Sequence, residues 1–444
     1  MEFDVRKYGA KGDGASNDAP AIQSTIDECA QKGGGRVLLP SGFTFASGPI
    51  RLRSHVDFHI QTGATLRLRR KEDFEGPVGE IEYKGQRYPV PCAFIYAISE
   101  EDVTVSGGGT VDGSAQLFTD VVTQYHISCV RSPRPRLVLF AGCRKVRVTD
   151  ISLTNSNNWM LYPVGCEDVY IHAIHILCDL RMANSDGIDP DHCRNVRISD
   201  CTIQTADDCI VIKNTKEFNF FGPTENISIS GCMLTSTSSA FKVGSETAND
   251  FRNIQMDSCL ISRTNRGLGF QIRDGGSLEN ARFTNITIET RRFYERWWGK
   301  AEPIWITSSA RDSATVPGHI RNLYFGNITC RGENGVYMHA EENAPVEHIT
   351  LENVSVYMEK TSKWEGGLYE RRPSIDEGLD HRDNAGIYCE NVKDVTLRHV
   401  RTEFADNAPA YFGAALEVHH AEGLRLEDFT GCAAHAGMPN QIIR

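Results

Sequence analysis

The chain lacks several things that would each have assigned it to a class. None of its 444 residues sit in an apolar run long enough for a membrane-crossing helix. There is no low-complexity tract, and no Cys-x-x-Cys pair of the kind that seeds a zinc site. Positive charge is in deficit, with 47 Lys and Arg against 58 Asp and Glu, a net charge of −11. A nucleic-acid partner needs a basic footprint, so that class is excluded as the main one. An acidic sugar polymer is not, because a local basic cluster suffices to hold it. The glycines of GAKGDG near the N-terminus are followed by no Lys-Ser or Lys-Thr, so they form no phosphate loop. MEFDVRKYGAKGDG also has no basic segment leading into an apolar one. The expectation is a cytoplasmic protein, or a secreted one whose leader has been removed.

Helical periodicity is scarce too. It occurs over one segment within residues 1–45, where Asn17 or Asp18 can cap, Pro20 suits the first turn, and Ile22, Ile26 and Cys29 share a face. The glycines at 33–35 end it. This segment is expected to cover the open end of a β-structure.

What the chain has in abundance is a short β-type repeat. An apolar position recurs at Val146, Val169, Val196, Ile227, Ile254, Ala281, Leu323, Ile349, Val395 and Leu424, mostly 23 to 31 residues apart. Further apolar columns fall two residues on (Val148, Ile171, Ile198 and their successors) and five residues on (Ile151, Ile174, Cys201, Cys232, Cys259, Ile286 and onward). Such a period built from strands predicts a solenoid whose turns bury their faces on one another. The fold class is therefore all-β, a right-handed parallel β-helix, as one domain over 1–444 with an N-terminal capping helix. Cys201, Cys232 and Cys259 share an interior column with Ile and Val, so they read as small buried hydrophobes. Inserted loops are expected near 113–136, 289–319 and 359–386. Trp297, Trp298, Trp305, Trp364 and Tyr369 lie on the last two, where rings can pack on sugar faces or simply anchor the loops.

The stretch from Met182 to Lys213 carries Asp186, Asp189, Asp191, Asp200, Asp207 and Asp208 among short strand-like runs. Adjacent carboxylates repel, so Asp207-Asp208 is costly as packing. By register, Asp186 sits one coil before that pair, at about the 4.8 Å strand spacing. Ser239, and then Gln271 and Arg273, follow on later coils. Clustered carboxylates suit glycosidic hydrolysis, because crowding raises the pKa of one member and lets it act as an acid. Solvated turn aspartates or a Ca²⁺ site remain open on spacing alone. Asp189 and Asp191 are read as structural.

FDVRKYGAKGDG, GGGRVLLPSG, NSNNWM, NSDGID, TADDCIVIK and KVGSE, in that order over residues 3 to 290, resemble glycoside hydrolase family 28, the polygalacturonase and rhamnogalacturonase group. The resemblance implies Asp207 as general acid, with Asp186 and Asp208 holding the attacking water, inversion of configuration, and neither metal nor cofactor. Asn184, Ser239, Lys242, Gln271, Arg273 and Trp298 are the expected substrate-binding residues, Trp298 as one of the loop rings. Two departures stand out. Ser238-Ser239-Ala240 replaces the usual Gly-His-Gly, and Gln271-Ile272-Arg273 replaces Arg-Ile-Lys. The implied function is an exo-acting glycosidase on pectin-derived oligosaccharides, without nucleic-acid or membrane partners. The rivals are a Ca²⁺-dependent β-helical lyase and a non-catalytic sugar-binding β-helix.

Overall fold

The computed structural model describes every residue except Arg296. The chain falls into two compact units, Met1–Asp207 and Asp208–Arg444. Each is built from parallel strands stacked coil upon coil.

In the first unit, one ladder runs from Glu2–Asp4 through Gly35–Leu39 and Val56–Ile60 to Arg194–Ser199. A second runs from Asp13–Asn17 to Thr202–Thr205. A third contains Ile50–Arg51, Ala93–Ile98, Arg136–Ala141 and Leu161–Val164. The second unit carries its own long ladder, in which Leu278–Thr290, Ile320–Gly332 and Val346–Met358 pair in register. Its other face is an eight-stranded sheet from Ile210–Asn214 to Gln441–Ile443. The architecture is the parallel β-helix expected from the repeat.

One backbone device explains the spacing of the apolar columns. Strict alternation puts inward side chains two and four residues apart, yet here the step is two and then three. In every repeat, the residue just before the third apolar position has positive φ. Asp150, Ala173, Asp200, Gly231, Ser258, Asn285, Asn327, Asn353, His399 and Asp428 all lie between 50° and 64°. A single left-handed residue turns the chain and resets its phase, so the next apolar side chain points inward again. That conformation costs a non-glycine L-residue about 1–2 kcal/mol, least for Asn and Asp. Side-chain ladders offset part of it: Asn327 Nδ2 donates to Asn285 Oδ1 at 3.2 Å, and Asn353 Nδ2 to Asn327 Oδ1 at 3.1 Å. In the interior, Phe241, Phe270, Phe283 and Phe325 pack ring to ring at 4.9 to 5.9 Å.

All 14 cysteines are free thiols, and Cys201, Cys232 and Cys259 are buried as hydrophobes. The helix Ala19–Gln31 buries Ile22, Ile26 and Cys29. Of the two expected capping residues, Asp18 holds the N-cap position but makes no side-chain bond into the helix. Asp18 accepts from the backbone N–H groups of Lys11 and Gly12 at 2.7 and 3.2 Å, tying down the GAKGDG turn. Asn17 Oδ1 takes the Ala19 N–H instead.

The loops also need correction. The interval 289–319 is two loops around a strand, Ile304–Ser308, which belongs to the eight-stranded sheet. Trp305 is therefore fully buried in that sheet. The segment 113–136 carries an antiparallel hairpin, Thr119–Val122 with Ile127–Cys129. The segment 359–386 carries another, Leu368–Glu370 with Leu379–His381. A further hairpin, Gly79–Tyr83 with Gln86–Val90, has no strong turn signal beyond Lys84-Gly85 and lay outside the expected insertions.

Candidate active site

Asp186 and Asp207 both belong to the first unit. Their carboxylate oxygens lie within 4.8 Å of one another. Asp186 is buried and Asp207 half-buried. Asn184, in a left-handed conformation (φ 57°), turns its backbone N–H onto Asp207 Oδ2 at 3.1 Å. Its side-chain amide is 3.5 Å from the same oxygen, which makes Asn184 a residue that orients the acid. Arg134, from the 113–136 loop, is fixed by the carbonyls of Asn157 and Ala183 at 2.8 and 3.0 Å. Burial pulls its pKa down, and the charges of Asp186 and Asp207 push back. Arg134 had no signal in the sequence, because it lies more than 50 residues before either aspartate.

Asp189 and Asp191 are fully buried. The Tyr162 hydroxyl donates to Asp191 at 2.8 Å, and both backbone N–H groups join the strand Leu161–Val164. They support the frame, as read from the sequence.

Asp208 follows Asp207 through one peptide bond, its Cα about 3.8 Å along the chain. It is buried and held by three donors of the second unit. Ser238 Oγ donates to Oδ1 at 2.9 Å, the Ser239 backbone N–H to the same oxygen at 3.1 Å, and Lys242 Nζ to Oδ2 at 2.9 Å. Burial alone would push its pKa up, but the nearby Lys242 and Lys213 ammonium groups and these hydrogen bonds bring it below the ordinary carboxylate value. Asp208 is therefore held as an anion. Lys213 also faces Glu246 at 3.5 Å, whose pKa it lowers. The sequence signal for this partner was a lysine directly after the apolar run CIVI, and Lys213 is only 4% exposed.

The remaining expected residues are placed differently. Ser239 meets Asp208 through its backbone and not its side chain. Lys242 is committed to Asp208. Gln271 Nε2 donates to the Arg372 carbonyl at 2.6 Å, so it holds the 359–386 loop. Arg273 does not face a substrate. It is fully buried, and every N–H of its guanidinium is used: Nε on Pro373 O, Nη1 on Ile272 O and Thr307 O, Nη2 on Thr307 Oγ1 and Arg371 O. Burial pushes its pKa down to about 9. Trp298 is 45% exposed, with the Arg372 guanidinium 5.4 Å from its ring centroid.

Crowded aspartates on a parallel β-helix, one of them held anionic by two lysines, define a carbohydrate-active class. Comparison narrows it. Residues 29–366 match the family model for glycosyl hydrolases family 28, and the chain belongs to that family. It is similar to a probable polygalacturonase of Vitis vinifera, 27% identical over 64% of this chain and 60% of the other. An endo-polygalacturonase of Pectobacterium carotovorum subsp. carotovorum is 25% identical over 78% of this chain and 86% of its own length. Among solved structures, an exopolygalacturonase from Thermotoga maritima aligns with a TM-score of 0.66, 22% identity and coverage of 91% and 92%. A family 28 exopolygalacturonase of Yersinia enterocolitica gives 0.69, 16%, and 96% and 78%.

Proposed function

We propose that the chain is an inverting glycoside hydrolase that removes sugars from one end of pectin-derived oligosaccharides. The observation that carries the chemistry is the state of Asp208. Held as an anion by Lys242, Lys213 and two serine donors, it is suited to polarise a water and unsuited to give a proton. Asp207, half-buried and oriented by the Asn184 amide, donates its proton to the leaving glycosidic oxygen. Asp186 shares the water with Asp208. The water attacks the anomeric carbon as the bond to the protonated oxygen breaks, and its own proton passes to the carboxylate pair. One displacement on the opposite face inverts the configuration.

End-wise action is supported by the 359–386 loop. The carbonyls of Arg371, Arg372 and Pro373 are bolted onto Gln271 and Arg273. Those residues lie on the strand Arg266–Ile272 or just after it, paired with the strand that supplies Ser239 and Lys242. A polymer running along the coils meets that loop two strands beyond Asp208.

The test is a product assay on galacturonides, rhamnogalacturonides and neutral side-chain fragments, with the unmodified protein beside Asp207→Asn. Release of monosaccharide of inverted configuration, abolished in the variant, is expected. A spread of intermediate lengths from a long polymer would overturn end-wise action. An unsaturated product absorbing in the ultraviolet would identify a lyase.

A further inference from the structure

The basic groups that sequence alignment would assign to a substrate carboxylate are spent: Arg273 on backbone carbonyls, Lys242 on Asp208. Another guanidinium is not. Arg372 gives Nε to Glu370 Oε1 at 2.9 Å, with Nη2 at 2.7 Å from the same oxygen, so at least three of its five N–H groups have no acceptor among the described residues. Its side chain is 34% exposed. Glu370 is also bound by Lys300, which gives the cluster two cations on one carboxylate and a net positive charge within a chain of net −11.

Both ends of this cluster are fixed. The Arg372 carbonyl is held by Gln271, and the Gly299 N–H donates to Glu370 at 3.1 Å. Beside it, the Trp298 carbonyl is held by the Asn265 amide at 2.6 Å, leaving the indole 45% exposed. Asn265 and Arg266 join the coil that bears Ser238, the donor to Asp208. An open aromatic face next to a fixed, half-satisfied guanidinium suits one ligand shape. That is a pyranose whose apolar face stacks on the ring and whose carboxylate takes the two-pronged donor.

We propose that Arg372 and Trp298 form the subsite that selects an anionic, carboxylate-bearing sugar ring, with Arg372 as the specificity-determining residue. The inference deepens the proposed function and rests on it for the sugar's place in the reaction, though binding tests it separately. Arg372 supplies the charge from a loop about 100 residues downstream of Gln271, in place of the basic residues absent at 271 and committed at 273.

The experiment is calorimetric titration of the full chain, in an Asp207→Asn background, with trigalacturonate and with its neutral trigalactoside counterpart. Arg372→Met is expected to weaken the uronide by about tenfold or more while leaving the neutral sugar within about twofold. Arg372→Lys should recover much of the loss, and Trp298→Ala should weaken both sugars. Equal weakening of both by Arg372→Met, no weakening of the uronide, or no uronide preference in the parent would each overturn the proposal. Turnover of the unmodified protein on the same sugars is read independently. Selectivity without turnover sinks the hydrolase reading and leaves this subsite standing.

Discussion

The second unit has two long parallel faces that differ in what they do with their outward side chains. On Leu278–Thr290, Ile320–Gly332 and Val346–Met358, buried and accessible positions alternate, and the outward ones are Thr, Asn, Arg and Glu in contact with water. On Arg266–Ile272, Ile304–Ser308 and Val336–Ala340, every residue is buried. Inward residues are apolar on both faces. The outward residues of the second face, Trp305, Tyr337, Gln271 and His339, are covered by the loops 291–303 and 359–386. Arg266 lies 3.6 Å over the Trp305 ring and pairs with Glu302, while Tyr337 stacks on Tyr369 of the hairpin at 4.4 Å. One face is a scaffold repeated by rule. The other is a floor on which loops and chemistry are built, and its residues follow no period.

That contrast can be broken from either side. Asp208→Asn removes the held anion on the functional face, and kcat should fall by about 10²–10⁴ while the melting curve keeps its shape. A rate within tenfold of the parent would refute the assignment of Asp208. Phe325→Ala, in the interior behind the scaffold face, should do the reverse. Unfolding in urea is expected to lose about 3–5 kcal/mol, with the turnover of the still-folded protein unchanged. Lys242→Met gives a smaller effect with a distinctive sign. Asp208 has a lowered pKa when folded, so its pairing contributes stability above the unfolded carboxylate value and loses it as pH falls through the folded one. Removing Lys242 raises that pKa, and the acid limb of kcat against pH should move to higher pH. A limb that stays in place would show that Lys242 does not set the charge of Asp208. The smallest effect is expected at the scaffold turn, where Asn327→Ala loses two ladder hydrogen bonds and strains a left-handed position. Its expected cost is about 1–2 kcal/mol in the same urea titration, with no kinetic change.

The scaffold face was legible because its rule is local. Each apolar column, the thiol column and the coil length could be counted along the chain, and counting was enough to call a β-helix. The left-handed residue behind the two-then-three step was visible only as Asn, Asp, Ser, His, Ala or Gly at a fixed place, a signal too mixed in type to read unaided. The aspartates could be found because Asp207 and Asp208 are chain neighbours and Asp186 precedes them by one coil. Arg134 and Arg372 were hidden for the opposite reason. Each sits on an inserted loop outside the register, so spacing carries no information about where its guanidinium lands. Arg273 misled in the same way: its position in the strand was right, but the loop that consumes its donors returns from 100 residues away.

The left-handed residue in each coil has a consequence for how such a chain can change length. Because left-handed residues recur at the same places in every turn, just before the first and the third apolar positions, each coil is a closed unit, and adding or dropping a whole one preserves every column on either side. Adding one or two residues within a coil would rotate all that follows. Growth is therefore quantised along the stack, in steps of about 4.8 Å, and continuous only in the loops. Substrate reach and substrate choice can thus be adjusted independently, one by the number of coils and the other by what hangs from them.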